Sequence, residues 1–574
     1  MKKFYYLLIA MSITLVACKS DPVVMPEEPE NPTDTIAGPK TEVEKVDSAY
    51  QVGDYTMPSY AALCIAKEAA RQDPSEENLK AMYEKVDELV GKEEPYCMVA
   101  TINGDPHTHM GFCWFTNEGI EQGEVQLVAK DNATAEDFSA GNVITVQATP
   151  TTTKALRYSG KCQYIVKASG LKASVRTKYV SHKALATDLQ PGTTYSWRVG
   201  YNGHWSEIGR FQTEDASQGE FSFIYMTDSH IMNETYINEA RRCALAAVKT
   251  VPEARFCVFP GDFVEDGDAN NSEWEWERWF EESLKPVIMQ MPIVPTDGNH
   301  DDSPNTNYTY HFNTNTDFNK NYTDKPQFEG IVYDFVYGDA LFLVFSMQDF
   351  WRETYSYKEL TSNYLTNNIS RWFRTQTIAN SNTKYRFSLA HFNLFSNSDH
   401  STDEEPPLFR ACMLPTMKAC EIDVALQGHD HTYEVIGPVN PDNFTPLLDA
   451  ITDQETVEID KNKNITGKRG GTYRTDDGTL YFIGATCGRK RYYPHNREKM
   501  DADYAAGKHN VENYFDLFTG MLGQPEKPSF TKITVKDDCI QIDSYTADDD
   551  NGSATLFNSM KVIRTKEHGV PAVL

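Results

Sequence analysis

Five times between residues 221 and 431, a short apolar run ends in residues that carry metal-binding or acid–base groups. Phe221–Met226 leads into Asp228-Ser229-His230, Arg255–Pro260 into Gly261-Asp262-Phe263-Val264-Glu265, and 287–295 into Gly298-Asn299-His300-Asp301. The run 386–390 ends in His391, and Val424-Ala425-Leu426 leads into Gly428-His429-Asp430-His431. Helical stretches at 236–249 and, rich in tryptophan, at 272–284 separate the first runs. Strands alternating with helices predict an α/β sheet, whose ligands gather beyond the C-terminal strand ends. The motifs then converge on one sheet edge. The groups they deliver are the oxygen and nitrogen donors that hard and borderline metals take. Two metals about 3.5–4 Å apart clamp both the attacking and the leaving oxygen of a phosphoryl displacement.

The rest of the chain changes character in steps. Residues 95–215 alternate short strands with turn residues, as in a β-sandwich; Met110–Thr116 is one strand and the Pro191-Gly192 turn leads into another. Residues 47–92 read as a small helical module, with Asp73-Pro74-Ser75-Glu76 as a helix start and Leu79, Met82, Tyr83, Val86 and Leu89 at helical spacing. After 437 the chain is loop-rich, with strands expected near 479–485, 529–536, 539–546 and 558–563.

The series D-x-H, G-D-x-x-x, G-N-H-[DE], a lone H and G-H-x-H resembles the motif set of calcineurin-like metallophosphoesterases. The sandwich before it resembles the N-terminal fibronectin type III-like domain of purple acid phosphatases, so the resemblance spans 95–565. It implies an α/β fold, a four-layer αββα sandwich over 219–565, preceded by an all-β domain over 93–215. It further implies that Asp228, His230, Asp262 and His431 hold one metal. Asp262, Asn299, His391 and His429 would hold a second, making Asp262 the bridge, with Fe, Mn or Zn as the ions. His300 would protonate the leaving group or bind a phosphoryl oxygen. For Asp301 two readings stand, an orienter of His300 or a surface carboxylate. Tyr433, Arg489, Lys490 and Arg491 are candidate contacts to substrate, and a solvated basic turn is the other reading of the last three. The chain departs from the purple acid phosphatase pattern at two places: His230 stands where that branch has Gly, and Glu265 where it has a Tyr ligand. The first supplies the ligand the second withholds, so no iron–tyrosinate colour is expected. His204, His311, His400 and His495 fall in no motif.

The N-terminus reads as an export signal: Lys2 and Lys3, an apolar run from Phe4 to Ala17, then Leu15-Val16-Ala17-Cys18. That tetrad resembles a bacterial lipobox, which implies residues 1–18 as signal and lipid attachment at Cys18, hence a membrane-anchored exported protein. Residues 19–46, rich in proline and acids, read as a tether. Tyr55–Leu63 resembles the small helical FIVAR modules of bacterial surface proteins, beside a plain helical spacer as the other reading. Ten cysteines remain after Cys18 and none forms a C-x-x-C pair; Cys113 and Cys257, inside apolar runs, read as core residues.

The 54 Lys+Arg against 83 Asp+Glu leave a net charge of −29, which excludes duplex nucleic acid as a main partner. It does not exclude a small phosphorylated substrate, because bound metals supply positive charge that a count of Lys and Arg omits. Phosphomonoesterase, phosphodiesterase and a surface-binding lipoprotein with an inactive domain are the three competing readings.

Overall fold

The computed structural model describes residues 94–572 apart from 118, 154–155, 159–174, 178, 216, 218, 266, 268–272, 302–307, 324–328, 348–360, 457–465 and 508–513, together with residues 66, 69, 73, 75–78, 80 and 81. The expected signal, Cys18, the tether, Tyr55–Leu63 and most of 47–92 lie outside the described residues. Of the expected helix start, the described part shows a shifted cap. The Ser75 hydroxyl accepts from Asn78 N–H at 3.3 Å. Asp73 spends its own N–H on Ala69 O of the preceding turn, at 2.9 Å.

Two sheets stand face to face. In the first, Phe221–Tyr225, Cys257–Pro260 and Ile293–Thr296 run parallel, as expected of strands joined by helices. Ser529–Val535 pairs antiparallel with Phe221–Tyr225 and is followed by Ile540–Ala547 and Ala554–Ile563. In the second sheet Ala340–Val344, Tyr385–Leu389, Val424–Gln427 and Thr479–Gly484 run parallel. Tyr333–Tyr337 and Tyr433–Asn440 close its two sides antiparallel.

Between the sheets the core is aromatic. Phe342 stacks on Phe335 and Phe387 at 4.7 and 4.8 Å, while Phe223 from the other sheet meets Phe342 edge-on at 5.4 Å. Such offset and edge contacts add about 0.5–1.5 kcal/mol each beyond the burial of the rings. The outer faces carry helices. Glu234–Thr250 buries Ile237, Ala240, Cys243, Ala244 and Ala247 on one face, its first turn capped by the Asn233 side chain. Ser370–Ala379 and Glu405–Ala419 bury their own apolar faces, including Trp372, Phe373, Phe409 and Met413. The whole is the αββα sandwich.

The all-β domain is sewn onto the first sheet. Tyr96–Thr101 lies parallel beside Ile293–Thr296, with Thr101 opposite Ile293. Met110–Asn117, Tyr179–Ala186 and Thr149–Thr152 extend that sheet outward. Glu124–Val128, Ile144–Gln147, Thr194–Tyr201 and Gly209–Gln212 make the second layer. The short helix Tyr308–His311 and the residues after it fasten the junction: Asn313 Nδ2 donates to Ala184 O at 2.7 Å, and Lys183 Nζ to Thr309 O at 2.6 Å.

Three expectations need correction. Residues 287–295 are not one strand: Lys285–Ile288 is helical, with Pro286 in the first turn where its missing N–H costs nothing, and the strand is Ile293–Thr296. The tryptophan-rich helix breaks into an α segment, Glu273–Arg278, and a π turn, Trp279–Ser283. The tail after 437 also holds a helix, Arg497–Ala505, capped by Asn496. Cys113 and Cys257 are buried, as are the other six cysteines among the described residues.

Candidate metal centre

Three of the parallel strands, Phe221–Tyr225, Cys257–Pro260 and Val424–Gln427, end in sharp turns made by the motif residues themselves. Asp228, His230, Asp262, His429 and His431 all have positive φ, between 44° and 73°. For side chains with a Cβ this left-handed region costs free energy and clusters at functional sites. Glycines make room beside them. A Cβ on Gly298 would fall 2.2 Å from Asp262 Oδ1, and one on Gly428 would fall 2.9 Å from Asp228 Oδ2.

The side chains so presented converge. Asp228, His230, Asp262 and His431 offer donor atoms that all lie within 4.8 Å of one another, and Asp262, His391 and His429 do the same. Asp262 belongs to both groups, its Oδ2 lying 3.2 Å from His230 Nε2 and 3.3 Å from His391 Nε2. His431 Nε2 sits 2.9 Å from His230 Nε2 and 3.2 Å from Asp228 Oδ1. Asn299 joins the second group, its Oδ1 being 3.0 Å from His391 Nε2.

The imidazole rings are oriented from outside the cluster. His391 Nδ1 lies 2.9 Å from Pro260 O, an acceptor only, so Nδ1 carries a proton and Nε2 is the ring atom turned inward. His230 Nδ1 likewise donates to Glu265 Oε2 at 2.7 Å. The inner ring nitrogens then crowd against carboxylate and carboxamide oxygens, an arrangement that needs a cation, a metal ion or protons in its absence. Carboxylate, carboxamide and imidazole donors, with outer hydrogen bonds fixing the imidazole tautomers, are what a transition metal or zinc requires. The residues present fit a metal.

Electrostatics agree. Burial raises the Asp262 carboxyl, yet the surrounding His391, His300 and His230 hold it well below the usual carboxylate range. Burial likewise works against Asp228, and His431 brings its carboxyl down. Burial pushes His431 down to about 3 and His429 well below the ordinary imidazole, keeping both neutral. His391 goes the other way: burial opposes its charge, but Asp262 raises it to about 10. Without a cation, the cluster draws protons to offset its own negative charge.

His300 stands at the rim, a quarter exposed. Its Nδ1–H donates to Glu265 O at 2.7 Å and its backbone N–H to Asp262 Oδ1 at 3.0 Å, which leaves Nε2 facing outward. Asp301 neither orients that ring nor lies at the surface. It is fully buried, and its carboxylate accepts N–H bonds from Gly298, Asp262, Phe263 and Val264 at 2.6–3.3 Å. The bidentate bracket fixes the second motif against the third, a role that sequence adjacency to His300 concealed.

Three further candidates also point elsewhere. Tyr433 is buried between the sheets, its hydroxyl bonded to Ser544 and Asn558. Arg489 and Arg491 both reach Glu239 on the long helix, at 2.7 and 2.8 Å. Lys490 between them faces the cluster. Residues that fell in no motif also arrive here. His400 stacks on His429 at 3.9 Å with its Nδ1 on Asp403, and the Tyr492 ring lies flat on His431 at 4.3 Å. Neither carried a local signal, because His400 reaches the site from the short 3-10 turn Asp399–Thr402 and Tyr492 from a loop, not from a strand end. His311 is instead a core ring, stacked on Trp276 and Phe115.

Comparison with known proteins agrees with this geometry. Residues 221–433 match the calcineurin-like phosphoesterase family, and residues 95–213 match the family described as purple acid phosphatase, N-terminal domain. Among solved structures, purple acid phosphatase PPD1 from yellow lupin (Lupinus luteus) seeds is similar over 83% of this chain and 75% of its own, at 13% identity and a TM-score of 0.55. A structure of PhoD is similar over 83% of this chain and 94% of its own, at 12% identity and a TM-score of 0.47. No curated protein matches the chain.

Proposed function

We propose that this chain, whose residues 221–433 match the calcineurin-like phosphoesterase family, is a phosphoester hydrolase, and more closely a phosphomonoesterase working with two metal ions. One observation carries the two-metal reading: a single oxygen, Asp262 Oδ2, lies 3.2 and 3.3 Å from imidazole nitrogens of two separate donor groups. Asp228, His230, Asp262 and His431 would hold one ion, and Asp262, Asn299, His391 and His429 the other. When bound, such ions generate a nucleophile from water at neutral pH and take up oxyanion charge.

The chain's own groups do the rest. Glu265 fixes the His230 tautomer through Nδ1, and Pro260 O does the same for His391. Asp301 keeps Asp262 and Gly298 in register, so the carboxylate that would serve both ions stays at one place. His300, held at Nδ1 by Glu265 O, keeps Nε2 free for the leaving-group side, where its imidazolium form would pass a proton to the departing alcohol oxygen. The match of residues 95–213 to the purple acid phosphatase N-terminal domain supports the monoester over the diester. A diesterase is the second reading, since the same donors serve both reactions.

Turnover of p-nitrophenyl phosphate and bis(p-nitrophenyl) phosphate by the Mn-loaded protein decides between them. Faster hydrolysis of the monoester is expected, and a dominant diester rate overturns the proposal. The Lys2–Cys18 segment supports placing this activity at a membrane surface, on a lipid anchor at Cys18. Cys18→Ala should release the protein from the membrane fraction, and unchanged fractionation would refute the anchor.

A further inference from the structure

Lys490 differs from the two arginines that flank it. Arg489 and Arg491 are tied to Glu239, so the chain on both sides of Lys490 is held against the helix Glu234–Thr250. The lysine turns the opposite way. Its Nζ lies 3.3 and 3.4 Å from the two Glu265 oxygens and 3.5 Å from His300 Nε2. All three contacts are at the outer limit of hydrogen bonding. An ammonium with three donors exchanges such contacts readily for a shorter, charge-assisted bond to a phosphoryl oxygen. Lys490 is also only partly covered, with 22% of its side chain exposed, so an incoming anion reaches it without a rearrangement of the core. Two residues on, Tyr492 covers His431 and meets His400 edge-on at 5.4 Å, so the segment 489–492 runs along the cleft between the His300 side and the His400 side.

We propose that Lys490 is the specificity-determining residue of this site, recognising the second negative charge of a phosphomonoester. The inference rests on the phosphomonoesterase reading above and names the group that enforces it. A phosphomonoester carries about −1.5 to −2 near neutral pH, whereas a diester carries one charge and a second bulky substituent. Metals at the donor groups would neutralise the charge both substrates share. A fixed cation on the His300 side, where the leaving group departs, adds an attraction that grows with the substrate's remaining charge. Its partner Glu265 is engaged by His230 Nδ1, so the carboxylate stays in place when the lysine shifts toward substrate.

The test uses the Mn-loaded full chain and its Lys490→Met variant. kcat/KM is measured on p-nitrophenyl phosphate and on bis(p-nitrophenyl) phosphate, and inorganic phosphate affinity by titration calorimetry. The monoester value should fall about 10–100-fold, the span of one hydrogen bond to a charged group, and phosphate affinity should weaken in parallel. The diester value should fall at least fivefold less, by roughly the missing charge alone. Lys490→Arg should restore most of the phosphate affinity. An equal fall on both substrates, or an unchanged phosphate affinity, overturns the proposal. A wild-type enzyme that hydrolyses the diester alone refutes the monoesterase reading instead, and the phosphate titration then still decides Lys490. Lys490→Gln is the second variant, read by the same titration, should the methionine variant fail to fold.

Discussion

The strand Val424–Gln427 carries buried polar clusters at both of its ends, and the two are built on opposite principles. At its start, Asp423 accepts from Arg386 N–H and His568 Nε2 at 2.9 Å each, from Thr475 Oγ1 at 2.7 Å and from Arg564 Nη1 at 3.2 Å. Every lone pair there meets a proton. Beyond its end, His429 and His431 enter a cluster in which His230 Nε2 faces His431 Nε2, and His391 Nε2 faces Asn299 Oδ1, so that metal-ligating atoms crowd together around Asp262. The first arrangement closes on itself and holds the C-terminal segment to the sheet. The second is open by one kind of particle, a cation. Donor–acceptor complementarity, and not the presence of buried His and Asp, separates a brace from a site.

Substitutions can break this contrast. Asp262→Asn removes the shared carboxylate and should lower kcat/KM at least about a thousandfold, several kcal/mol of lost charge stabilisation, while circular dichroism shows an intact fold. Asp423→Ala should do the reverse. Stripping the brace leaves Arg564 and Arg386 short of a buried partner and should cost about 3–5 kcal/mol in urea unfolding, with activity per folded molecule retained. Glu265→Gln sharpens the point between them: it frees the His230 tautomer and should weaken metal affinity about 10–100-fold, read by competition with a chromogenic chelator.

The smallest expected effect concerns Glu214, at the seam between the domains. It is buried, accepts from Gly338 N–H, and its Oε2 finds no hydrogen-bond partner among the described residues. Burial raises its carboxyl to about 7, so the folded state holds a proton there that the unfolded chain releases above its ordinary value of 4.5. The sign follows: stability is full below 4.5 and is lost as pH rises through 7. Glu214→Gln should therefore melt higher than wild type at pH 8, by on the order of 1–3 kcal/mol, with the gap closing at pH 4.5. A gap that is the same at both pH values contradicts the assignment.

Much of the site was legible beforehand because strand ends are local. An apolar run predicts a strand, and the residue after it must lie at the sheet edge; that reasoning reached Asp228, His230, Asp262, Asn299, His391, His429 and His431, which the fold brings together. It failed where direction is set by distant partners. Tyr433 follows the G-H-D-H motif by two residues yet points into the core, because pleating alternates faces. Asp301 turned inward to four backbone N–H groups. His400 and Tyr492 had no periodic pattern to announce them. The run 287–295 misled in its own way, since a single turn of helix and a strand look alike in a short apolar run.

By itself the sequence determined the layered α/β class, the order of the strands' motifs and the chemical type of every donor, since periodicity and composition act over a few residues. Only the tertiary structure decided which donors share one space. His230 and His431 are 201 residues apart in the chain, and their 2.9 Å approach depends on two left-handed turns at the ends of strands in different sheets. It also decided that, of three adjacent cations, the middle one faces the cluster. That choice was made by Glu239, a residue 250 positions earlier, drawing the two arginines away.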